Sequence, residues 1–398
     1  MSSVRSYGFP IARALALSVL FAGCAAEGPA GETSAELRDA ELPYVKTVQL
    51  PNLFGVPGYE SLDIPIYESP GTRGPGILLV HGNSASSRAY VRQVFSLYGR
   101  THKMYLLDLP GYGQSGRVDP SRPFPVDPAT GLPVGFAEYQ LGLIEAVATV
   151  ANDPDLAPQI FVGWSLGGDV LLIAQGAGLL PNARGLFLFG TAPAGASPPS
   201  AEHPFDGPDV PGLPLSVLAS FGFAFQPNPA SPLGFSLDGQ FPDPPPPYAA
   251  PPTSDAPTVG DAYVRGFFNE VRRTHPVLVP DAFLEDGFDA DWRARGSLGV
   301  IGLGLGMGAP LPDELDVLRG LAGDPSDPSD DIPVAVLVGE EDAFVNTQYL
   351  EDLRTTGGLP TLWNDTIIEV PHAGHAIQWE RPVVFNALLA DFVYDVTH

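Results

Sequence analysis

Gln159–Val162 is a short apolar run, and Gly163–Trp164–Ser165–Leu166–Gly167–Gly168 follows it without a spacer. Asp169–Gln175 then continues with the apolar content of a buried helix. No other stretch restricts the fold as much. The run reads as a buried strand and the following segment as a helix, so Ser165 must sit on the tight turn between them. Such a turn pushes the serine Oγ away from the chain. It also brings backbone so close that a Cβ two residues to either side would collide, which accounts for Gly163 and Gly167. The N-terminus of the helix offers N–H groups without intrahelical acceptors, beginning with Leu166, together with positive potential for an oxyanion formed beside the serine.

Strand, Gly-x-Ser-x-Gly and helix in this order form a nucleophile elbow, and here the chain resembles the α/β-hydrolase superfamily. Two upstream loops match the same family. Ile77–Val80, a continuous apolar run typical of a central parallel strand, ends in His81–Gly82–Asn83. This resembles the oxyanion-hole loop, in which the backbone N–H of Asn83 would face the developing charge. Met104–Leu107 ends in Asp108–Leu109–Pro110–Gly111–Tyr112–Gly113–Gln114–Ser115, which resembles the turn after the next strand. Taken alone, either loop is an ordinary turn, since Gly, Pro and Asn are common turn residues. Downstream, the family position for the acid is matched by Gly339–Glu340–Glu341–Asp342, and its histidine loop by Ala373–Gly374–His375.

A serine hydroxyl is a weak nucleophile and needs a base; the base needs a carboxylate to fix its tautomer. The resemblance implies the chain order Ser165, Asp342, His375. Glu340 and Glu341 compete with Asp342, and either could be a solvated turn residue. His372 competes with His375 and is expected to cap or pack. Trp164 is expected to line the substrate pocket, or else simply to pack in the core. Haloalkane dehalogenases and epoxide hydrolases of this fold carry aspartate where this chain has Ser165, which disfavours those chemistries. No HExxH spacing exists among the seven histidines, and neither metal nor cofactor is implied.

Composition narrows the partners. The formal charge of the 398-residue chain is −26, with Lys46 and Lys103 its only lysines. No basic patch is available for phosphates, so nucleic acid is excluded as a partner class, and the acid reads as a solvated surface. The single cysteine, Cys24, rules out an internal disulfide. It follows Arg5, Arg13 and the apolar Ala14–Ala22, a stretch too short to span a bilayer. Leu20–Phe21–Ala22–Gly23–Cys24 resembles a bacterial lipobox, with Phe21 where leucine is usual. Residues 1–23 therefore read as a lipoprotein signal peptide and Cys24 as the lipidated residue, which implies an exported, membrane-anchored protein. An ordinary secretory signal is the alternative.

Residues 24–44 read as a tether, and 45–191 as the first part of the hydrolase core. Val45–Leu50 and Leu62–Tyr67 alternate as half-buried strands do. Tyr90–Tyr98 and Phe136–Val150 read as helices, and Gly185–Gly190 as another buried strand. Strands alternating with helices give right-handed crossovers and a mostly parallel sheet. At Thr191 the pattern changes. Residues 192–331 read as a cap inserted between the sixth and seventh strands, rich in proline and phenylalanine at first, with a helix over Thr258–Arg273. Ser297–Gly308 carries five glycines but lacks the strand and Lys of a phosphate cradle, and reads as close packing or a hinge. Residues 332–398 complete the core with strands Ile332–Val338 and Asp365–Val370 and a helix over Pro382–Val396.

The expectation is an esterase- or lipase-like serine hydrolase acting on an apolar or lipid-like carboxylic ester through an acyl-enzyme. Its residues would be Ser165, Asp342 and His375, with the Asn83 and Leu166 N–H groups as oxyanion donors. Amide hydrolysis, acyl transfer or perhydrolysis would use the same triad, and a binding protein on a hydrolase scaffold is the alternative from another class.

Overall fold

The computed structural model describes residues 41–53, 62–117, 137–195, 200, 226–227, 235–236, 286–287, 290–291, 294, 311–324, 326–327, 330–342 and 344–398. The expected signal peptide, Cys24 and most of the expected tether lie outside these residues. So do most of the expected cap, the helix expected over Thr258–Arg273, and Ser297–Gly308. Glu41–His398 forms one unit by its contacts.

The apolar runs form the strands expected of them. An eight-stranded sheet contains β1 (Tyr44–Gln49), β2 (Asp63–Glu68), β3 (Arg73–Val80), β4 (His102–Leu107), β5 (Pro158–Trp164), β6 (Gly185–Phe189), β7 (Val334–Gly339) and β8 (Ile368–Val370). Their order across the sheet is β1-β2-β4-β3-β5-β6-β7-β8. β2 is antiparallel to both of its neighbours, and every other pairing is parallel. The central strands have no polar alternation because helices cover both faces: Ile77–Val80, Ile160–Val162 and Leu186–Phe189 are wholly buried. Each fully buried Leu, Ile or Phe contributes about 1.5–3 kcal/mol, so this stack dominates the stability of the unit.

The registers gather the functional loops on one edge. Val80 pairs with Leu107 and Gly163, Trp164 with Phe189, Phe189 with Leu337, and Gly339 with Val370. The residues that follow these strand ends are His81, Asp108, Ser165, Gly190, Glu340 and Pro371. They therefore emerge side by side at the carboxyl ends of a parallel sheet, where such folds place their sites.

Helices α3 (Ala137–Ala151) and α4 (Leu166–Gly176) pack against each other, α5 (Glu314–Gly320) packs on α4, and α6 (Thr347–Thr355) follows β7. On the other side α8 (Pro382–Thr397) sets Phe385 and Phe392 edge-on against Phe187, and Phe385 also against Phe189. Among the described residues no helix is long and apolar enough to cross a membrane.

Two elements differ from expectation for local reasons. The helix read over Tyr90–Tyr98 is a 3₁₀ turn at Ser87–Tyr90, α1 (Val91–Val94) and α2 (Leu97–Thr101). Ser96 divides them: its extended backbone starts a new helix, and its hydroxyl accepts the Gly99 N–H, an N-cap that outcompetes continuation. The last strand begins at Ile368 rather than Asp365. Asn364 and Asp365 adopt left-handed φ values of 59° and 52°, which form a turn and leave three residues to pair with β7.

Candidate active site

Ser165 sits between β5 and α4 with φ 51° and ψ −124°. A non-glycine residue in this region costs about 1–3 kcal/mol and persists only where its surroundings enforce it. They do so here. The Ser165 N–H donates to the Phe189 carbonyl at 3.0 Å, and its own carbonyl accepts from Gly168 N–H (2.7 Å) and the Thr191 hydroxyl (3.2 Å). The glycines leave no room for side chains. A Cβ on Gly163 would lie 2.5 Å from the Gly168 Cα, one on Gly167 would run into the carbonyls of Val80 and His81, and one on Gly168 would strike the Thr191 hydroxyl. The elbow is thus wedged between the ends of β3 and β6.

Asp342 and His375 lie on adjacent loops. His375 Nδ1 is 3.0 Å from Asp342 Oδ2 and 3.2 Å from Oδ1, with both side chains essentially out of solvent. Two backbone N–H groups, from Phe344 (2.8 Å) and Val345 (3.2 Å), also donate to Asp342 Oδ1. The carboxylate is thereby held by the turn after β7, and its remaining capacity faces the imidazole. Close backbone approach joins the two loops, since a Cβ on Gly339 would meet the Gly374 carbonyl. The Glu341 N–H donates to Ala373 (2.8 Å), and the Gly374 N–H to the Glu380 carboxylate (2.8 Å). The His375 ring lies beside Gly190, whose φ is 56° and where a Cβ would sit 3.1 Å from the ring.

Of the three carboxylates in Glu340–Glu341–Asp342, only Asp342 lies at hydrogen-bond distance from His375. Glu340 turns outward and accepts the His372 N–H at 2.9 Å. His372 has a φ of 56° and half its side chain exposed, with its Nδ1 3.7 Å from Glu340 and 3.8 Å from Glu341. Together Glu340, Glu341 and His372 bring three potential ligand atoms within 4.8 Å of one another. Trp164 is wholly buried and stacked on Phe189 at 6.4 Å, and its indole N–H donates to the His375 carbonyl at 3.0 Å. Its visible action is to hold the histidine loop.

On the other side of the serine, a Cβ on Gly82 would lie 3.2 Å from Ser165 Cβ, which puts the His81–Asn83 turn against Ser165. His81 is fully buried, and burial lowers its pKa, keeping the ring neutral. Its Nε2 accepts the Leu109 N–H at 3.0 Å, so the ring proton resides on Nδ1 and is donated to the Gly82 carbonyl at 2.8 Å. That carbonyl belongs to the same peptide group as the Asn83 N–H. In a trans peptide the two bonds point in opposite directions, so fixing the carbonyl fixes the aim of the N–H. Asp108 reinforces the turn, accepting N–H groups from Ser87 (2.7 Å) and Gln114 (2.9 Å).

Asp286 and Asp291 reach this wall too. Ser86 Oγ donates to Asp286 at 2.5 Å, the Asp291 N–H to Gly111 (2.7 Å), and Tyr139 Oη to Asp291 (2.6 Å). The walls are joined behind the serine by α1. Arg92 stacks 3.7 Å over Trp379 in the short α7 (Ile377–Glu380), and Gln93 donates to the Gln378 carbonyl at 2.8 Å. Burial lowers the Arg92 pKa to about 10.

Two further buried acids escaped the sequence reading. Asp169, in the first turn of α4, and Glu314, in the first turn of α5, are both almost fully buried. Burial raises both pKa values well above the usual range, and the proximity of Asp169 raises that of Glu314 further. The available signal was an acid at the head of an otherwise apolar helix, Asp169–Ala174.

A family model described as the alpha/beta hydrolase family matches residues 77–388. The chain belongs to the alpha/beta hydrolase family. No curated protein sequence matches it. Among solved structures, this hydrolase is similar to the N-acyl homoserine lactonase AidH complexed with N-butanoyl homoserine, with TM-score 0.58 and 21% identity over 90% of this chain and 98% of that one. It is also similar to the esterase RhEst1 from Rhodococcus sp. ECU1013, with TM-score 0.57 and 17% identity over 89% and 100% of the two chains. A membrane phospholipase A gives TM-score 0.55 and 16% identity over 98% and 93%. At these identities the likeness establishes the fold.

Proposed function

We propose that this alpha/beta hydrolase is a serine hydrolase of carboxylic esters, with Ser165 as nucleophile, His375 as base and Asp342 as the acid that orients it. The observation that carries the reading is the buried His375–Asp342 pair. Its Nδ1 faces a carboxylate already held by two backbone N–H groups, on a loop beside a serine locked at positive φ. Ser165 Oγ attacks the ester carbonyl as His375 takes its proton, and the N–H groups of Asn83 and Leu166 stabilise the tetrahedral oxyanion. The imidazolium then protonates the leaving alcohol, and an acyl-enzyme remains. Water attacks it with His375 again as base, releasing the carboxylic acid and restoring the serine. Trp164 serves from behind, through the His375 carbonyl.

Residues 192–331 act in this reading as a cap whose phenylalanine-rich first half walls the nucleophile, favouring uncharged, apolar esters. Each methylene buried there is worth about 0.8 kcal/mol, or up to roughly fourfold in kcat/KM until the pocket is full. Residues 1–23 act as the signal peptide and Cys24 as the lipid attachment site. The neighbours' chemistry, which includes a lactonase, makes cyclic esters part of the panel to be tried. The test is a series of acyl esters from acetate to octanoate, with lactones and one anionic ester, assayed on wild type and Ser165→Ala. Rates that climb with chain length and vanish in Ser165→Ala support the reading. A fully active Ser165→Ala variant overturns it. For the anchor, mass spectrometry of the mature protein should find a lipidated Cys24 at the N-terminus, and an unmodified Cys24 with cleavage elsewhere contradicts it.

A further inference from the structure

We propose that Tyr112 is a positioning residue for the oxyanion hole: its buried hydroxyl holds the Asn83 side chain and so fixes the peptide group whose N–H receives the oxyanion. The inference rests on the proposed function above and concerns how one of its donors is aimed. His81 grips that peptide group at one end, through the Gly82 carbonyl. Tyr112 grips the following residue, donating Oη–H to Asn83 Oδ1 at 2.8 Å. The two grips support each other, for the Tyr112 and His81 rings meet edge-on with centroids 5.3 Å apart. Tyr112 and His81 are fully buried and Asn83 nearly so, so water has little access to compete for these bonds.

Tyr112 is itself anchored by the chain around it. Gly111 turns with φ 85°, its carbonyl accepting the Asp291 N–H and its N–H donating to Gly116 at 3.0 Å. The Tyr112 N–H donates to the Leu109 carbonyl at 2.9 Å, and the Leu109 N–H is the one that fixes His81. The loop after β4 thus holds the oxyanion turn through one aromatic hydroxyl and one imidazole. Removing an oxyanion donor outright costs about 10²–10³ in kcat. Loosening the aim of one should cost less, on the order of tenfold. The loss should fall on kcat, because the bond to the donor strengthens as the oxyanion forms.

The experiment compares wild type, Tyr112→Phe, Asn83→Ala and the double variant on one good ester. Each is also titrated with a trifluoromethyl ketone that forms a hemiketal oxyanion. The expected result is a kcat about tenfold lower in each single variant, KM within about twofold, and ketone affinity falling in step with kcat/KM. The double variant should be no worse than the poorer single one, since both substitutions break the same bond. Should Tyr112→Phe fail to fold, Asn83→Ala alone must still show the kcat loss and the weaker ketone. Unchanged kcat in a folded variant, losses that multiply in the double, or ketone affinity unaffected while activity falls would each overturn the proposal. Failure of the underlying reading looks different: an active Ser165→Ala variant would remove Ser165 as the nucleophile, whatever Tyr112→Phe does.

Discussion

The two walls flanking Ser165 are built from different materials. On the wall proposed to supply acid and base, a carboxyl group is held by the backbone: the Phe344 and Val345 N–H groups fix Asp342, and Asp342 faces His375. On the wall proposed to hold the oxyanion, uncharged side chains hold the loop: His81 and Tyr112 grip the peptide of Gly82 and the side chain of Asn83. The difference follows from what each must deliver. A general base needs a proton acceptor of defined tautomer, which a carboxylate supplies. An oxyanion hole needs N–H groups already aimed and uncharged before reaction, which neutral, desolvated hydrogen bonds supply without repelling or neutralising the developing charge. The contrast predicts that substitutions on the first wall abolish chemistry, whereas those on the second scale it.

The largest effect should come from the first wall. Ser165→Ala and His375→Ala should each lower kcat by about 10⁴–10⁶, with little further loss in the double variant, because the pair works as a unit. Asp342→Asn should cost about 10⁴ with the fold intact by circular dichroism. Independent, multiplying losses would break the comparison at its strong side. Next comes the scaffold common to both walls. Gly168→Ala places a Cβ on Thr191, and Gly163→Ala drives one into the backbone of Gly168. Either should reduce the yield of soluble protein or lower Tm by several degrees, as overpacking costs about 1–3 kcal/mol. A Tm equal to wild type would show the elbow to be looser than its geometry.

A smaller, pH-dependent effect should come from beneath α4. The carboxyls of Asp169 and Glu314 have folded-state pKa values raised above the ordinary 3.8 and 4.5. The stability they contribute is full below those ordinary values and is lost as pH rises through the elevated folded ones. Asp169→Asn and Glu314→Gln should therefore raise Tm relative to wild type at pH 8 and leave it unchanged at pH 3. Thermal melts at the two pH values check the sign, and equal shifts at both would contradict it. The smallest effect is reserved for the rivals outside the walls. His372→Ala and Glu340→Gln, on the exposed flank of the same loops, should leave kcat/KM within about twofold of wild type.

Much of this was legible in the chain because strands buried on both faces write themselves as unbroken apolar runs, as Ile77–Val80 and Gly185–Phe189 do. The elbow was legible because its glycines are sterically obligatory, and the order of loops followed from the parallel sheet. Where several residues of one kind competed, spacing could not choose. Which of Glu340, Glu341 and Asp342 turns inward depends on how the loop after β7 pairs with Val370 and Ala373, a contact with a distant strand. Tyr112 was invisible for a similar reason. Within Gly111–Tyr112–Gly113 it reads as a turn residue, and only the packing of β4 beside β3 carries its hydroxyl to Asn83. The breaks at Ser96 and Asn364 were local after all, but hydrophobic periodicity does not register a side chain that caps or a residue that takes positive φ.

The central claim is that Ser165 is a nucleophile activated by His375 and Asp342. Fluorophosphonate labelling of the folded protein, with the adduct located by peptide mass spectrometry, tests it most directly. The account predicts one phosphonyl adduct, on Ser165 in wild type, lost in Ser165→Ala and formed far more slowly in His375→Ala. A folded wild-type protein that takes no label, or one labelled at another residue with Ser165 unmodified, would contradict it.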